Sequence, residues 1–116
     1  MVVTRGDILM VNLPDSGGSV QTGIKPCLVV SNDFGNRFGP TLVVVPMTSK
    51  IAQKTSLPTH YILEKDKYKF LKYDSLVLCE QVITIPKSCV LRKIGYIPKT
   101  ELSGIESCLK IELALS

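Results

Sequence analysis

Apolar positions in this chain fall mostly into short β-type runs separated by turn residues. Ile8 to Leu13 is the first run, closed by Pro14, and a polar Gly/Ser loop follows as far as Gly23. Pro26 then opens a second strand over Cys27 to Ser31, and the Asn32 to Pro40 stretch carries the residues of a turn or short loop. Thr41 to Val45 is a β-branched strand that runs into Pro46, Met47, Thr48 and Ser49. Residues 50 to 58 read as loop and His60 to Leu63 as a strand, and Lys65 to Tyr73 has room for a helical turn. Ser75 to Ile85 is a long strand candidate and Val90 to Ile94 a short one. Only the tail changes period. From Lys99, apolar residues at Leu102, Ile105, Cys108, Leu109 and Ile111 have helical spacing, with Thr100 a candidate N-cap. Many short strands and one terminal helix predict a mainly β protein, a small barrel or highly curved sheet with a helix packed on it.

Composition narrows the class. The 116 residues suit a single domain spanning 1–116, and 45% hydrophobic with 21% charged residues argues against disorder. No apolar stretch approaches the ~20 residues that span a bilayer, and the first residues lack an apolar signal core. The expectation is a soluble, cytoplasmic protein with no membrane association. A net charge of +4 is compatible with a polyanionic partner without requiring one. Cys27, Cys79, Cys89 and Cys108 form no CxxC pair and His60 is the single histidine, so a structural zinc site or a histidine-based triad lacks its ligands. Reduced, buried thiols and no cofactor are expected.

Four places exceed what packing requires. Gly18 to Gly23 has the spacing of a phosphate loop, but Ile24 precedes Lys25 and a strand follows, so the nucleotide-loop reading fails. What survives is a Gly/Ser loop beside one cation, Lys25, at a strand entrance. Thr48 and Ser49 place hydroxyls at the exit of the strongest strand, where bonding to local backbone is the ordinary alternative. Glu80 and Gln81 interrupt an apolar run, so one of them needs a specific partner, structural or ligand. Thr59 and His60 follow a loop. A cation, hydroxyls, an amide and an imidazole suit a phosphodiester and base edges.

The segments Arg5-Gly-Asp-Ile, Gly23-Ile-Lys-Pro-Cys-Leu-Val-Val-Ser-Asn-Asp33, Val45-Pro-Met-Thr-Ser49, Leu57-Pro-Thr-His60 and Asp74-Ser-Leu-Val-Leu-Cys-Glu-Gln81 resemble the MazF/PemK toxin family in order and spacing, over essentially the whole chain. The resemblance implies an SH3-like (PemK/CcdB-type) small barrel with a C-terminal α-helix that forms a homodimer. It also implies a sequence-specific, metal-independent endoribonuclease acting on single-stranded RNA, leaving 2′,3′-cyclic phosphate and 5′-hydroxyl ends. A cognate, MazE-like antitoxin would lay an extended segment over the RNA groove. The family's catalytic pair is an arginine in Gly-x-Arg-Pro and a threonine in Pro-x-Thr-Ser. Thr48 matches the threonine, and Lys25 stands at the arginine position.

Carried over residue by residue, Lys25 would stabilise the phosphate and take part in proton transfer, and Thr48 would position the scissile phosphate. Ser19, Gln21, Ser49, Thr59, His60, Glu80 and Gln81 would hold RNA, and the loop from Asp15 to Thr22 would close over it. No metal site is implied. Two other readings stand beside this one: a relative that binds RNA or antitoxin without cleaving, because Lys25 replaces arginine, and a gyrase-directed toxin of the CcdB branch.

Overall fold

The computed structural model describes residues 1–15, 17–18, 20–51 and 57–116; Ser19 and most of the expected 50–58 loop lie outside them. Among the described residues the strands are β1 (Asp7–Leu13), β2 (Gly23–Val29), β3 (Thr41–Thr48), β4 (His60–Leu63), β5 (Ser75–Leu78), β6 (Ile83–Pro86) and β7 (Val90–Tyr96). Two helices, α1 (Asp33–Phe38) and α2 (Lys99–Glu112), complete the order together with short 3-10 turns. All strand pairs are antiparallel, in the order β4-β5-β3-β2-β1-β7, with β6 also on β3. No helix among the described residues is long and apolar enough to cross a membrane.

β3 joins the two parts of the sheet. Its first half pairs β6 over Thr41 to Val44, and its end pairs β5 at Met47 and Thr48. Its other edge pairs β2. Because neighbouring strand residues point to opposite faces, Ile8, Leu28 and Val45 enter one core while Leu9, Val29 and Val44 enter another. This two-sided burial explains why β1, β2 and β3 read as nearly continuous apolar runs. The first core is closed by α2, whose Leu102, Ile105 and Cys108 form one buried stripe, as their spacing predicts.

Four expectations are corrected. The Asn32 to Pro40 stretch holds helix α1, since Asn32 caps it by accepting the Gly35 N–H at 2.8 Å and the buried Asn36 amide donates to the Ser31 carbonyl at 2.8 Å. Glycines 35 and 39 disguise that helix as a turn. The Ser75 to Ile85 run breaks into β5 and β6 around a 3-10 turn, Cys79–Gln81. Thr100 lies in the first turn of α2; Pro98 is the N-cap and makes no side-chain cap bond. Pro26 lies inside β2, which begins at Gly23.

The cysteines are free, and Cys27, Cys79 and Cys108 are buried. Burial pushes the Cys27 thiol up to about 12. Helix α2 is fixed at its start by Glu101. The Tyr61 hydroxyl donates to Glu101, and the Lys67 ammonium lies 3.5 Å from it. Burial tends to raise the Glu101 carboxyl, but the hydrogen bonds from Tyr61 and Tyr68 and the Lys67 charge outweigh it and hold it below the usual value. Burial, together with Glu101, pushes the Tyr61 phenol up to about 12. Gly104 lets α2 approach Tyr61, since a Cβ there would sit 2.3 Å from Tyr61 Cε2.

Gly104→Ala therefore gains helix propensity of roughly 1 kcal/mol but overpacks a hydrogen-bonded ring at about 1–3 kcal/mol, and a net loss of about 1 kcal/mol is expected in urea unfolding. The lowered Glu101 carboxyl contributes stability above the unfolded-state value of roughly 4.3 that is lost as pH falls through the folded value. Denaturation midpoints should accordingly fall below about pH 4.5, and Glu101→Gln should flatten part of that decline. An unaltered acid limb in that variant would remove Glu101 from the linkage.

Candidate active site

The β2–β3 ladder stops at the Cys27–Pro46 pair. Pro26, the next residue of β2 whose N–H would face β3, has none to donate. Beyond that last pair, Lys25 near the start of β2 and Thr48 at the end of β3 lie on the parting ends of the two strands. The chains part into a cleft of about 590 Å³ that both residues line together with Ser49. Thr48 is only 5% exposed, and its Oγ1 accepts the Lys50 N–H at 3.2 Å. The ordinary backbone bond is thus present, and it uses a lone pair while leaving the hydroxyl proton to donate into the cleft.

The charge of this cleft has one sign. Lys25, Lys50, Lys72 and Arg92 line it, and no carboxylate does among the described residues. None of the four cations forms an ion pair with a described residue. Phe70 and Tyr73 stand in the same wall, on the segment between β4 and β5 that the Lys65 N–H fastens to Asp74 Oδ1 at 2.9 Å. Gly95 makes room for Phe70: a Cβ there would lie 2.3 Å from the ring.

The other expected site residues gather elsewhere. Glu80 in the Cys79–Gln81 turn accepts from Thr59 Oγ1 at 3.2 Å and meets His60 Nε2 at 2.9 Å. The Cys79 N–H donates to the Thr59 carbonyl at 3.1 Å, tying the turn to the same place. The His60 side chain is 3% exposed and its Nδ1 has no hydrogen-bond partner among the described residues. Gln81 Oε1 accepts the Gln21 N–H at 2.7 Å, which anchors the end of the first loop to this turn. Thr59, His60, Glu80, Gln21 and Gln81 are not in the lining of the Lys25–Thr48 cleft. Ser19 falls outside the described residues. Among the described residues no group of three or more His, Cys, Asp or Glu is placed to hold a metal ion.

Comparison with known proteins decides the family. Residues 4–113 match the PemK-like, MazF-like toxin of type II toxin–antitoxin systems. The chain belongs to the PemK/MazF toxin family. It is 41% identical to Endoribonuclease EndoA of Bacillus subtilis (strain 168) over 115 residues, covering 99% of this chain and 97% of that protein. Its fold is that of MazF from Deinococcus radiodurans, with a TM-score of 0.80 at 21% identity over 98% of both chains. It also matches a mycobacterial endoribonuclease solved in complex with its cognate antitoxin, with a TM-score of 0.76 at 23% identity over 98% of this chain and 97% of that one. The SH3-like barrel expectation is thereby met by PemK/MazF-type architecture.

Sequence reasoning missed Lys50, Lys72, Arg92 and Tyr73 as cleft residues. Lys72 and Arg92 lie in basic clusters visible in the sequence, but neighbouring cations in those clusters go elsewhere: Lys67 pairs Glu64 and Glu101, and Lys93 lies 3.1 Å from Asp7. Only tertiary placement separates them. Glu80→Ala removes the shared acceptor of Thr59 and His60 and should destabilise the fold by about 1–3 kcal/mol in urea unfolding. A melt identical to the parent would mean that the turn is held without Glu80.

Proposed function

We propose that this PemK/MazF-family toxin is a sequence-specific endoribonuclease that cleaves single-stranded RNA in the cytoplasm without a metal ion. The observation that carries the reading is the meeting of Lys25 and Thr48 in a cleft that, among the described residues, is lined by four cations and no carboxylate, in a chain 41% identical to an endoribonuclease. A cleft whose charged lining, among the described residues, is all cationic concentrates a polyanion and does not repel the developing charge at phosphorus.

The RNA supplies its own nucleophile. The 2′-hydroxyl gives its proton to solvent water and its oxygen bonds to the adjacent phosphorus; the bond from phosphorus to the 5′ oxygen breaks, and that oxygen takes up a proton from solvent water. Products are a 2′,3′-cyclic phosphate and a 5′-hydroxyl. The Lys25 ammonium holds the charge that grows on the non-bridging oxygens, and the Thr48 hydroxyl donates to one of them, fixing the phosphorus in line for attack. An ammonium is a compact point charge and does not give the two parallel hydrogen bonds of a guanidinium, so Lys25 stabilises by position and charge. Ser49 lies beside Thr48 at the cleft wall and contacts a flanking nucleotide.

Thr59, His60 and Glu80 support this site by fixing the turn that carries Gln81, and Gln81 anchors the loop that ends beside β2. The protein works as a homodimer and is silenced by a cognate MazE-like antitoxin, as the solved mycobacterial relative is found with its own antitoxin.

Purified protein incubated with long single-stranded RNA in EDTA should give discrete cuts with 5′-hydroxyl ends by primer extension. Thr48→Ala should lower the rate at least about 100-fold, the size of one lost transition-state donor, while costing about 1 kcal/mol of stability. Lys25→Arg should cut at the same positions. Cutting by the arginine variant alone would identify an attenuated toxin; silence from both would sink the ribonuclease reading.

A further inference from the structure

We propose that Arg92 on β7 grips the RNA phosphate next to the scissile one, through the two parallel N–H donors of its guanidinium. This rests on reading the Lys25–Thr48 cleft as the RNA site. Met10 on β1 pairs with Arg92 on one side and with Pro26 on the other, so Arg92 lies two strands from the neighbour of Lys25. Two strand spacings are about 10 Å, so Lys25 and Arg92 approach the cleft from separate strands and offer contacts at two points along a bound strand.

The direction of Arg92 follows from its neighbours. Lys93 turns to the Asp7 carboxylate at 3.1 Å, whereas Arg92 and Ile94 line the cleft. The two adjacent cations therefore have different roles, one holding a buried carboxylate and one facing the cleft. Arg92 is exposed and has no carboxylate partner among the described residues, so nothing within the described fold competes for its charge.

Chemistry then distinguishes it from the other three cations. Lys25, Lys50 and Lys72 are mobile point charges, while Arg92 is the one planar fork among the described cleft residues. A fork that takes two oxygens of one phosphate sets the register of the strand, which a single ammonium does not. Arg92 so placed acts in binding, holding the RNA so that the next phosphate falls between Lys25 and Thr48.

The test uses the Thr48→Ala protein, which retains the cleft, and the same long single-stranded RNA in EDTA, with binding followed by filter retention across a salt series. Adding Arg92→Ala should weaken binding about tenfold and reduce the slope of log affinity against log salt by roughly 0.7, one phosphate contact on a single strand. Arg92→Lys should keep the parent slope yet bind several-fold more weakly. With Thr48 intact, Arg92→Ala should raise KM by a larger factor than it lowers kcat. Thermal melting of both variants should match the parent.

Unchanged affinity and slope in Arg92→Ala would overturn the proposal. Arg92→Lys binding as tightly as the parent would remove the guanidinium fork from it. A fall in kcat at unchanged KM would move Arg92 to the scissile phosphate and equally overturn the assignment. If the Thr48→Ala protein does not bind RNA at all, the cleft reading itself fails, and that outcome is distinct from binding that ignores Arg92.

Discussion

The ladder between β2 and β3 stops where Pro26 meets its end, and the site depends on that stop. With no N–H at position 26, the next backbone bond from β2 to β3 cannot form. The strands part beyond it, and Lys25 and Thr48 reach the same cleft from strand ends rather than from a loop. The cleft lies at the same place. A ladder continued to the ends of both strands would have brought the backbones to pairing distance and filled the cleft.

Upstream of that stop, β2 and β3 are buried on both faces, which leaves them little tolerance for a polar side chain. Polar chemistry is therefore displaced to strand ends and interruptions. Thr48 is the last residue of β3, and Glu80 sits in the turn that separates β5 from β6 along the edge of β3. Glu80 is accommodated because Thr59 and His60 satisfy both of its oxygens. The result is a division of labour: one polar group is satisfied internally and holds a turn, and the other is left with donors directed to the cleft.

Electrostatics show the same separation. Asp7, Glu64, Glu101 and Glu106 are engaged with Lys93, Lys67 and Arg5 and brace the sheet and helix α2. The cations of the cleft have no described carboxylate neighbour, so their repulsion is relieved by solvent and, on the proposed reading, by RNA. An arrangement of this kind costs the folded protein some stability in exchange for binding energy directed at an anion.

By itself the sequence determined the local elements whose signal is periodic: β1, most of β3, β4, the α2 stripe of Leu102, Ile105 and Cys108, and the single-histidine, unpaired-cysteine chemistry. Its motifs also pointed to Lys25 and Thr48 and to the family. Helix α1 was hidden because its stability comes from side-chain bonds of Asn32 and Asn36 and not from propensity. The break at Cys79–Gln81 was hidden because apolar residues continue through it, and only the contacts of Glu80 with Thr59 and His60 explain the turn. Tertiary structure alone decided which polar residues line the cleft and which meet one another. It separated Arg92 from Lys93 and Lys72 from Lys67, because the direction of a cation depends on the partners that folding brings within a few ångströms, and those partners are distant in the chain.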